Sequence, residues 1–279
     1  MSDPEQDVSA DHRRRLSFGS VAAQYDRLRP GYPAVMVDDV LAYAHAQPGD
    51  PVLDVGAGTG RATLLFAERG YVLTAIEPDR AMAAVASRRA ATAGLRLEML
   101  NTDFEQASLP SQGFQLLISA TAWHWVTPGL RNALAARALK PGGALAPFWN
   151  RPMWRENPLR PELDRIYAEL EHECGARPRG PMNPFGAPLE IVDDREWLDD
   201  EFRDNADFTD LDARVYGWRR RYSAGEYVAL LGTHSDHITL PEGARERLFA
   251  AVAGAIDAAG GSFELGYQTL LCLARRRAG

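Results

Sequence analysis

The run Pro51-Val-Leu-Asp-Val-Gly-Ala-Gly-Thr-Gly60 constrains this chain more than any other stretch. An apolar segment ends on an acid and then on alternating glycines. A buried strand followed by a tight turn fits that order, because glycine accepts positive φ and lets a backbone approach a ligand closely. In dinucleotide folds the spacing is GxGxxG, and the turn faces a pyrophosphate. Here the spacing is GxGxG, and Asp54 stands two residues before the first glycine. A carboxylate there repels phosphate. It suits a ligand with a cationic group and no phosphate.

The segments around this turn alternate between strand and helix patterns. "PVLDVG", "YVLTAIEP", "LRLEMLNTD", "FQLLISATA" and "ALAPFWN" read as five strands. Between them lie the helix patterns "RATLLFAERG", "DRAMAAVASRRAATAG" and "GLRNALAARALKPGG", the last with its own turn. Asp79 is placed to cap the second of these. Alternation of this kind predicts a parallel sheet covered on both faces. Upstream, "SFGSVAAQYDRLRP" and "YPAVMVDDVLAYAHA" read as helices. Downstream, "PELDRIYAELEHECG" is a helix, and residues 176–205 read as an insertion over the ligand edge. "DARVYGWRRRYS" and "SFELGYQTLLCLARR" are late strands flanking two helices, which predicts an antiparallel edge on the sheet.

Bulk properties narrow the function. The chain has 279 residues, 46% of them hydrophobic and 25% charged, which is ordinary for a globular protein. A net charge of −7 argues against gripping nucleic acid through its phosphates. Three arginine triplets, at 13–15, 219–221 and 275–277, read as solvated surface. No apolar stretch is long enough to span a membrane, and the polar N-terminus lacks a secretory pattern. Cys174 and Cys272 have no metal-type spacing. A cytoplasmic location is the expectation. His234 and His237 in "HSDH" find no third ligand in the sequence, so no metal site is expected.

Three acids fall at strand ends. Besides Asp54, Glu77 closes the second strand and can accept from two ribose hydroxyls, as acids do in NAD proteins. Asp103 follows the third strand and can accept from an adenine amino group, with the Phe104 N–H on a ring nitrogen. Glu77 also reads as a cap for the next helix, and Asp103 as a turn residue. Together with the glycines they point to a nucleoside-bearing, phosphate-free, cationic ligand. S-adenosylmethionine (SAM) meets that description.

On these segments the chain resembles the class I SAM-dependent methyltransferases. The resemblance rests on "VLDVGAGTGRATLLFAERG", "VLTAIEPDRAMAAVASRR", "NTDFEQASLP", "FQLLISATAWHWV" and "RALKPGGALAPFWN", and covers about residues 18–150. The opening "SFGSVAAQYDRLRPGYP" is similar to the small-molecule branch that includes trans-aconitate methyltransferase-like proteins. The resemblance implies a Rossmann-like α/β fold with a seven-stranded, mostly parallel sheet of order 3-2-1-4-5-7-6. It implies an N-terminal helical lid over residues 12–48 after a disordered tail at 1–11. A cofactor core at 49–150, a helix and substrate-side insertion at 151–205 and late strands and helices at 206–279 complete a single domain at 12–279. It implies SAM as cofactor, S-adenosylhomocysteine as product, and contacts from Tyr25, Arg29, Asp54, Gly56, Ala57, Gly58, Thr59, Glu77, Pro78, Met82, Asp103, Phe104 and Ala120. Arg29 would pair with the cofactor carboxylate; a surface arginine at a helix end is the other reading.

The acceptor side is less defined. The Asn/Asp-Pro-Pro-Tyr signature of base methylation is absent after the fourth strand, where "SATAWHWV" stands. Trp123, Trp125, Trp149 and Arg151 are candidates for the substrate pocket. His124 is a candidate general base, or else a pocket wall. If the strand continued this far, Trp123 and Trp125 would share one side and His124 the other. The expected partner is a small-molecule acceptor methylated at O, N or C, with neither nucleic acid nor membrane. The competing readings are an NAD-dependent oxidoreductase, and a SAM-fold protein that acts on a macromolecule or binds without methylating.

Overall fold

A computed structural model describes residues 26–155, 157–174, 202 and 205–278. Seven strands form one sheet: β1 (Pro51–Val55), β2 (Val72–Ile76), β3 (Leu97–Leu100), β4 (Phe114–Ala120), β5 (Leu139–Met153), β6 (Phe208–Ser223) and β7 (Ser262–Arg276). Their order is β3-β2-β1-β4-β5-β7-β6, as expected. The first five pair in parallel, and β7 runs antiparallel to both β5 and β6. Late-strand patterns had predicted that antiparallel edge.

Helices α1 (Ala34–Tyr43), α2 (Arg61–Ala67), α3 (Arg80–Thr92) and α4 (Pro128–Ala138) cover the parallel half. Asp79 caps α3, its side chain accepting from the Ala81 and Met82 N–H groups. Pro128 opens α4, where its missing N–H has no intrahelical acceptor to lose. The start of the fifth strand differs from the sequence reading. The turn expected at Pro141–Gly143 before the fifth strand lies inside β5, which begins at Leu139. The pairing with β4 shifts between Phe114 and Leu116, and Gly142 takes a φ of +76° at the shift. The glycine pair therefore forms a bulge in a strand.

Two apolar layers sandwich this half. Leu53, Val55, Leu117, Leu145 and Trp123 fill one. Val52, Leu116, Ile118, Met36 and Phe66 fill the other. Alternation along β1 and β4 sends successive side chains to opposite layers, which fixes strand register.

Helices α5 (Arg160–Cys174), α6 (Ala224–Leu231), α7 (Ser235–Ile238) and α8 (Glu242–Ala258) follow. They pack on the far ends of β6 and β7 around Trp154, Tyr167, Tyr222, Tyr227 and Phe263. A capping box from Ser223 and Glu226 starts α6. The C-terminal arginines are not all solvated surface. Arg275 lies 4.7 Å over the Tyr43 ring and donates to the Tyr43 and Gly142 carbonyls, clamping β7 onto α1. Among the described residues no helix is long and apolar enough to cross a membrane. Tyr25 and residues 12–25 of the expected lid lie outside the described residues, as does nearly all of the 176–205 insertion.

Candidate active site

The sheet order reverses between β1 and β4, so their carboxyl ends diverge and leave a crevice. The glycine turn closes its floor. Gly56 and Ala57 both donate to the Ile76 carbonyl, at 2.9 and 3.0 Å, which ties the turn to β2. Gly56 has a φ of +74°, and a Cβ there would sit 2.3 Å from the Ala122 Cβ. No other residue fits. Ala57 and Thr59 are buried inside the turn, and Arg89 holds the Thr59 carbonyl.

The crevice encloses a cavity of about 100 Å³ that opens to solvent. Its walls include the predicted Gly56, Gly58, Glu77, Pro78, Met82, Asp103, Phe104, Ala120 and Trp125. Sequence reasoning missed Val55, Ile76, Thr121, Ala122 and Val126. The crowding at Gly56 is the signal for Ala122, but it appears only once the chain is folded. Thr121 carries a φ of +56°, uncommon for a β-branched residue. Its N–H donates to the Phe148 carbonyl and its hydroxyl meets the Tyr32 hydroxyl at 3.1 Å.

Glu77 is held rigidly. One carboxylate oxygen accepts from the Gly58 N–H at 2.8 Å and the other from the Asp79 N–H at 2.9 Å. These two bonds fix both carboxylate oxygens at the end of β2. Asn101 donates to the Glu77 and Pro78 carbonyls and locks the ends of β2 and β3 together.

Asp54 lies beneath the turn, fully buried. Its Oδ2 accepts from the Thr63 hydroxyl at 2.6 Å, whereas Oδ1 has no partner among the described residues. Burial pushes its carboxyl up to about 7, against the lowering effect of the Thr63 hydrogen bond and with help from the nearby Glu77 charge. An orphaned carboxylate oxygen of this kind is costly unless a donor or cation reaches it.

Other expectations are corrected. β4 stops at Ala120, and Trp123–Trp125 form a 3₁₀ turn, so strand alternation does not apply. Trp123 is a core residue, fully buried 6.4 Å from Phe104 and 5.9 Å beneath the Arg131 guanidinium. Trp125 alone of that pair reaches the crevice. His124 is exposed; its Nδ1 accepts from the Trp149 indole N–H at 3.3 Å, and its ring lies 4.9 Å from Trp125. Arg29 donates to the Thr233 hydroxyl and carbonyl, which draws it to the end of α6. Arg151 stands half-buried on β5, paired with Gln268 of β7, and does not line the crevice. His237 shares one ring nitrogen with the Tyr167 hydroxyl and the other with Asp236. No group of three metal-ligating side chains occurs among the described residues.

Residues 52–143 match the profile of a methyltransferase domain family. An uncharacterized methyltransferase of Mycobacterium tuberculosis is 39% identical over 135 residues, covering 48% of this chain and 52% of that protein. The chain thus spans about half the length of the curated relatives it matches. A protein of Anaeromyxobacter dehalogenans assigned as a type II methyltransferase superposes with a TM-score of 0.60 at 24% identity, over 90% of this chain and 98% of that one. Phosphoethanolamine N-methyltransferase 2 of Haemonchus contortus, solved with phosphomonomethylethanolamine and S-adenosylhomocysteine, superposes at 0.53 with 13% identity, over 93% of this chain and 57% of that one. These last two likenesses concern the fold.

Proposed function

We infer that this chain, which belongs to the class I SAM-dependent methyltransferases by its fold and its residues 52–143, moves a methyl group from SAM to a small-molecule acceptor. The observation that carries the reading is the buried Asp54 with its orphaned Oδ1 beneath the glycine turn. A pyrophosphate is repelled by that group. A ligand with an ammonium would satisfy it from the crevice side of the turn, directly or through water, Asp54 itself lying behind the crevice wall.

The residues present fit SAM. Asp54 would meet the amino group, directly or through water. Glu77 would accept from the ribose hydroxyls, with Pro78 and Met82 packing on the adenosine. Asp103 and the Phe104 N–H would read the adenine edge, and Ala120 would border the methionine part. Bound there, SAM supplies a methyl on a good leaving group, with charge neutralised as the bond forms. What the protein must add is alignment and exclusion of water. Trp125, Val126 and Thr121 supply walls for that purpose.

His124 does not suit the role of general base. With Nδ1 engaged by the Trp149 donor, the neutral ring carries its proton on Nε2. An acceptor that arrives ionised, such as a carboxylate, needs no base. The net charge of −7 and the lack of a base-methylation signature favour a small molecule over nucleic acid.

Calorimetry with SAM and S-adenosylhomocysteine is the test. Wild type is expected to bind at micromolar level, and Glu77→Ala and Asp54→Ala each to weaken binding at least about tenfold, or 1.4 kcal/mol. A wild-type protein silent toward both ligands sinks the assignment. Radiolabel from methyl-tritiated SAM should then enter a small-metabolite pool, and not an RNA or protein fraction.

A further inference from the structure

We propose that His124 is a positioning residue: through its hydrogen bond with Trp149 it sets the Trp123–Trp125 turn and so fixes the Trp125 wall of the ligand crevice. The proposal rests on the methyltransferase reading only for what the crevice binds.

Three observations meet here. First, the turn is anchored at one end. Trp123 is wholly buried between Phe104 and the Arg131 guanidinium, so it cannot rotate without opening the core. Second, Trp125 at the other end lines the crevice, on a single 3₁₀ turn in which its N–H donates to the Ala122 carbonyl at 2.9 Å. Third, His124 stands between them and reaches across to β5. Its Nδ1 takes the indole N–H of Trp149, which is itself nearly buried and paired in register with Leu270 of β7. Trp149 thus offers a donor fixed by the sheet.

The imidazole also lies against the Trp125 ring, with centroids 4.9 Å apart and planes inclined at 40°. Sheet, imidazole and indole therefore form a chain of contacts from β5 to the crevice. A shift of the imidazole is passed to Trp125 by contact. Nothing in this arrangement asks His124 to move a proton. A base would need its free lone pair aimed at the acceptor, and the Nδ1 lone pair is aimed at Trp149.

The test uses the full chain with indole-¹⁵N tryptophan, the Trp149 and Trp125 signals being assigned by Trp149→Phe and Trp125→Leu. Trp149→Phe removes the indole N–H together with the five-membered part of the ring, and keeps an aromatic group in the core. In the free protein, His124→Ala and Trp149→Phe should each displace the Trp125 indole signal. His124→Asn, which retains an acceptor, should restore it in part. Toward S-adenosylhomocysteine each single variant should lose about fivefold in affinity, the size of one net hydrogen bond. The double variant should lose no more than either alone, as coupled partners do. A Trp125 signal unmoved in both single variants overturns the proposal, whether or not ligand binds. So does strict additivity, or turnover abolished by His124→Ala with ligand affinity and the Trp125 signal intact. Absence of ligand binding by the wild type would count against the cofactor reading instead, since the Trp125 signal is read without ligand.

Discussion

The half of the sheet around β1 and the half around β6 are built from different materials. Around β1 aliphatic residues predominate, with Phe66, Phe104 and Trp123 among them, and the polar groups collect near strand ends: Asp54, Glu77, Thr59 and Ser119 are all buried there. Around β6 and β7 the core is aromatic, with Trp154, Tyr167, Tyr222, Tyr227, Phe263 and Tyr267 packed together. Phenol hydroxyls in that core pair internally, Tyr222 with Tyr267 at 2.8 Å and Tyr167 with His237 at 2.7 Å. The first half spends its polar groups on a crevice. The second spends them on itself. The methyltransferase family profile covers residues 52–143 and stops short of the aromatic half. The difference teaches which half is bound by a ligand's geometry and which is free to vary around it.

If the aromatic core only supports the fold, damage there should lower stability and leave ligand affinity alone. The largest effect is expected from Trp154→Ala. The side chain is fully buried and lies 5.6 Å from Phe263 and 5.8 Å from Tyr227. Truncating a buried aromatic to alanine costs about 3–5 kcal/mol. Denaturant unfolding should show that loss, while calorimetry on the remaining folded protein finds SAM affinity unchanged. Trp154→Phe should cost far less, because the indole N–H has no partner among the described residues. A large loss of SAM affinity in Trp154→Ala would break the division. The route for such coupling exists. Arg29 donates to Thr233, Arg220 to the Leu28 carbonyl and Asn150 to the Gly31 carbonyl, so the segment before α1 bridges both halves.

The next effect sharpens the other side. Asp54 has its carboxyl raised to about 7 by burial, from an ordinary value near 4. A raised carboxylate favours the protonated form in the folded state. Its ionisation therefore takes stability away as pH climbs from about 4 through 7, the reverse of an ion-paired acid. A cationic ligand favours the ionised form. SAM affinity should rise about tenfold between pH 5.5 and 7, with proton release on binding seen as buffer-dependent heat. Asp54→Asn should flatten that profile. A flat wild-type profile would remove Asp54 from the ligand's reach.

The sequence showed the first half far better than the second. A glycine turn after an apolar strand, with acids at the strand ends, has few physical solutions, and Gly56, Glu77 and Asp103 all line one crevice. What the sequence did not show were contacts made by folding: Ala122 against Gly56, Tyr32 on Thr121, Trp149 on His124. The Trp-His-Trp turn was legible as chemistry-bearing residues but not as geometry. Whether a strand runs on past Ala120 depends on its neighbours, and the left-handed Thr121 ends it. Arg29 was read toward the ligand because a lone arginine carries no sign of its partner. Two of its hydrogen bonds go to a threonine 204 residues away in the chain.

The smallest expected effect tests whether the phenol pairs matter for more than packing. Tyr222 and Tyr267 share one hydrogen bond in a buried site, and burial raises both phenols, so neither ionises near neutral pH. Tyr222→Phe removes a single oxygen and leaves the Tyr267 hydroxyl without that partner. The loss should be about 1–2 kcal/mol by denaturant unfolding, since the orphaned hydroxyl adds its desolvation to the lost bond. Tyr222→Phe with Tyr267→Phe removes both ends and should recover part of that loss. Recovery would mean the pair is a satisfied polar island whose value lies in mutual pairing. A double variant that is additive instead would mean each hydroxyl serves a separate partner, and the aromatic core would then resemble the crevice half, with polar groups held for something outside itself.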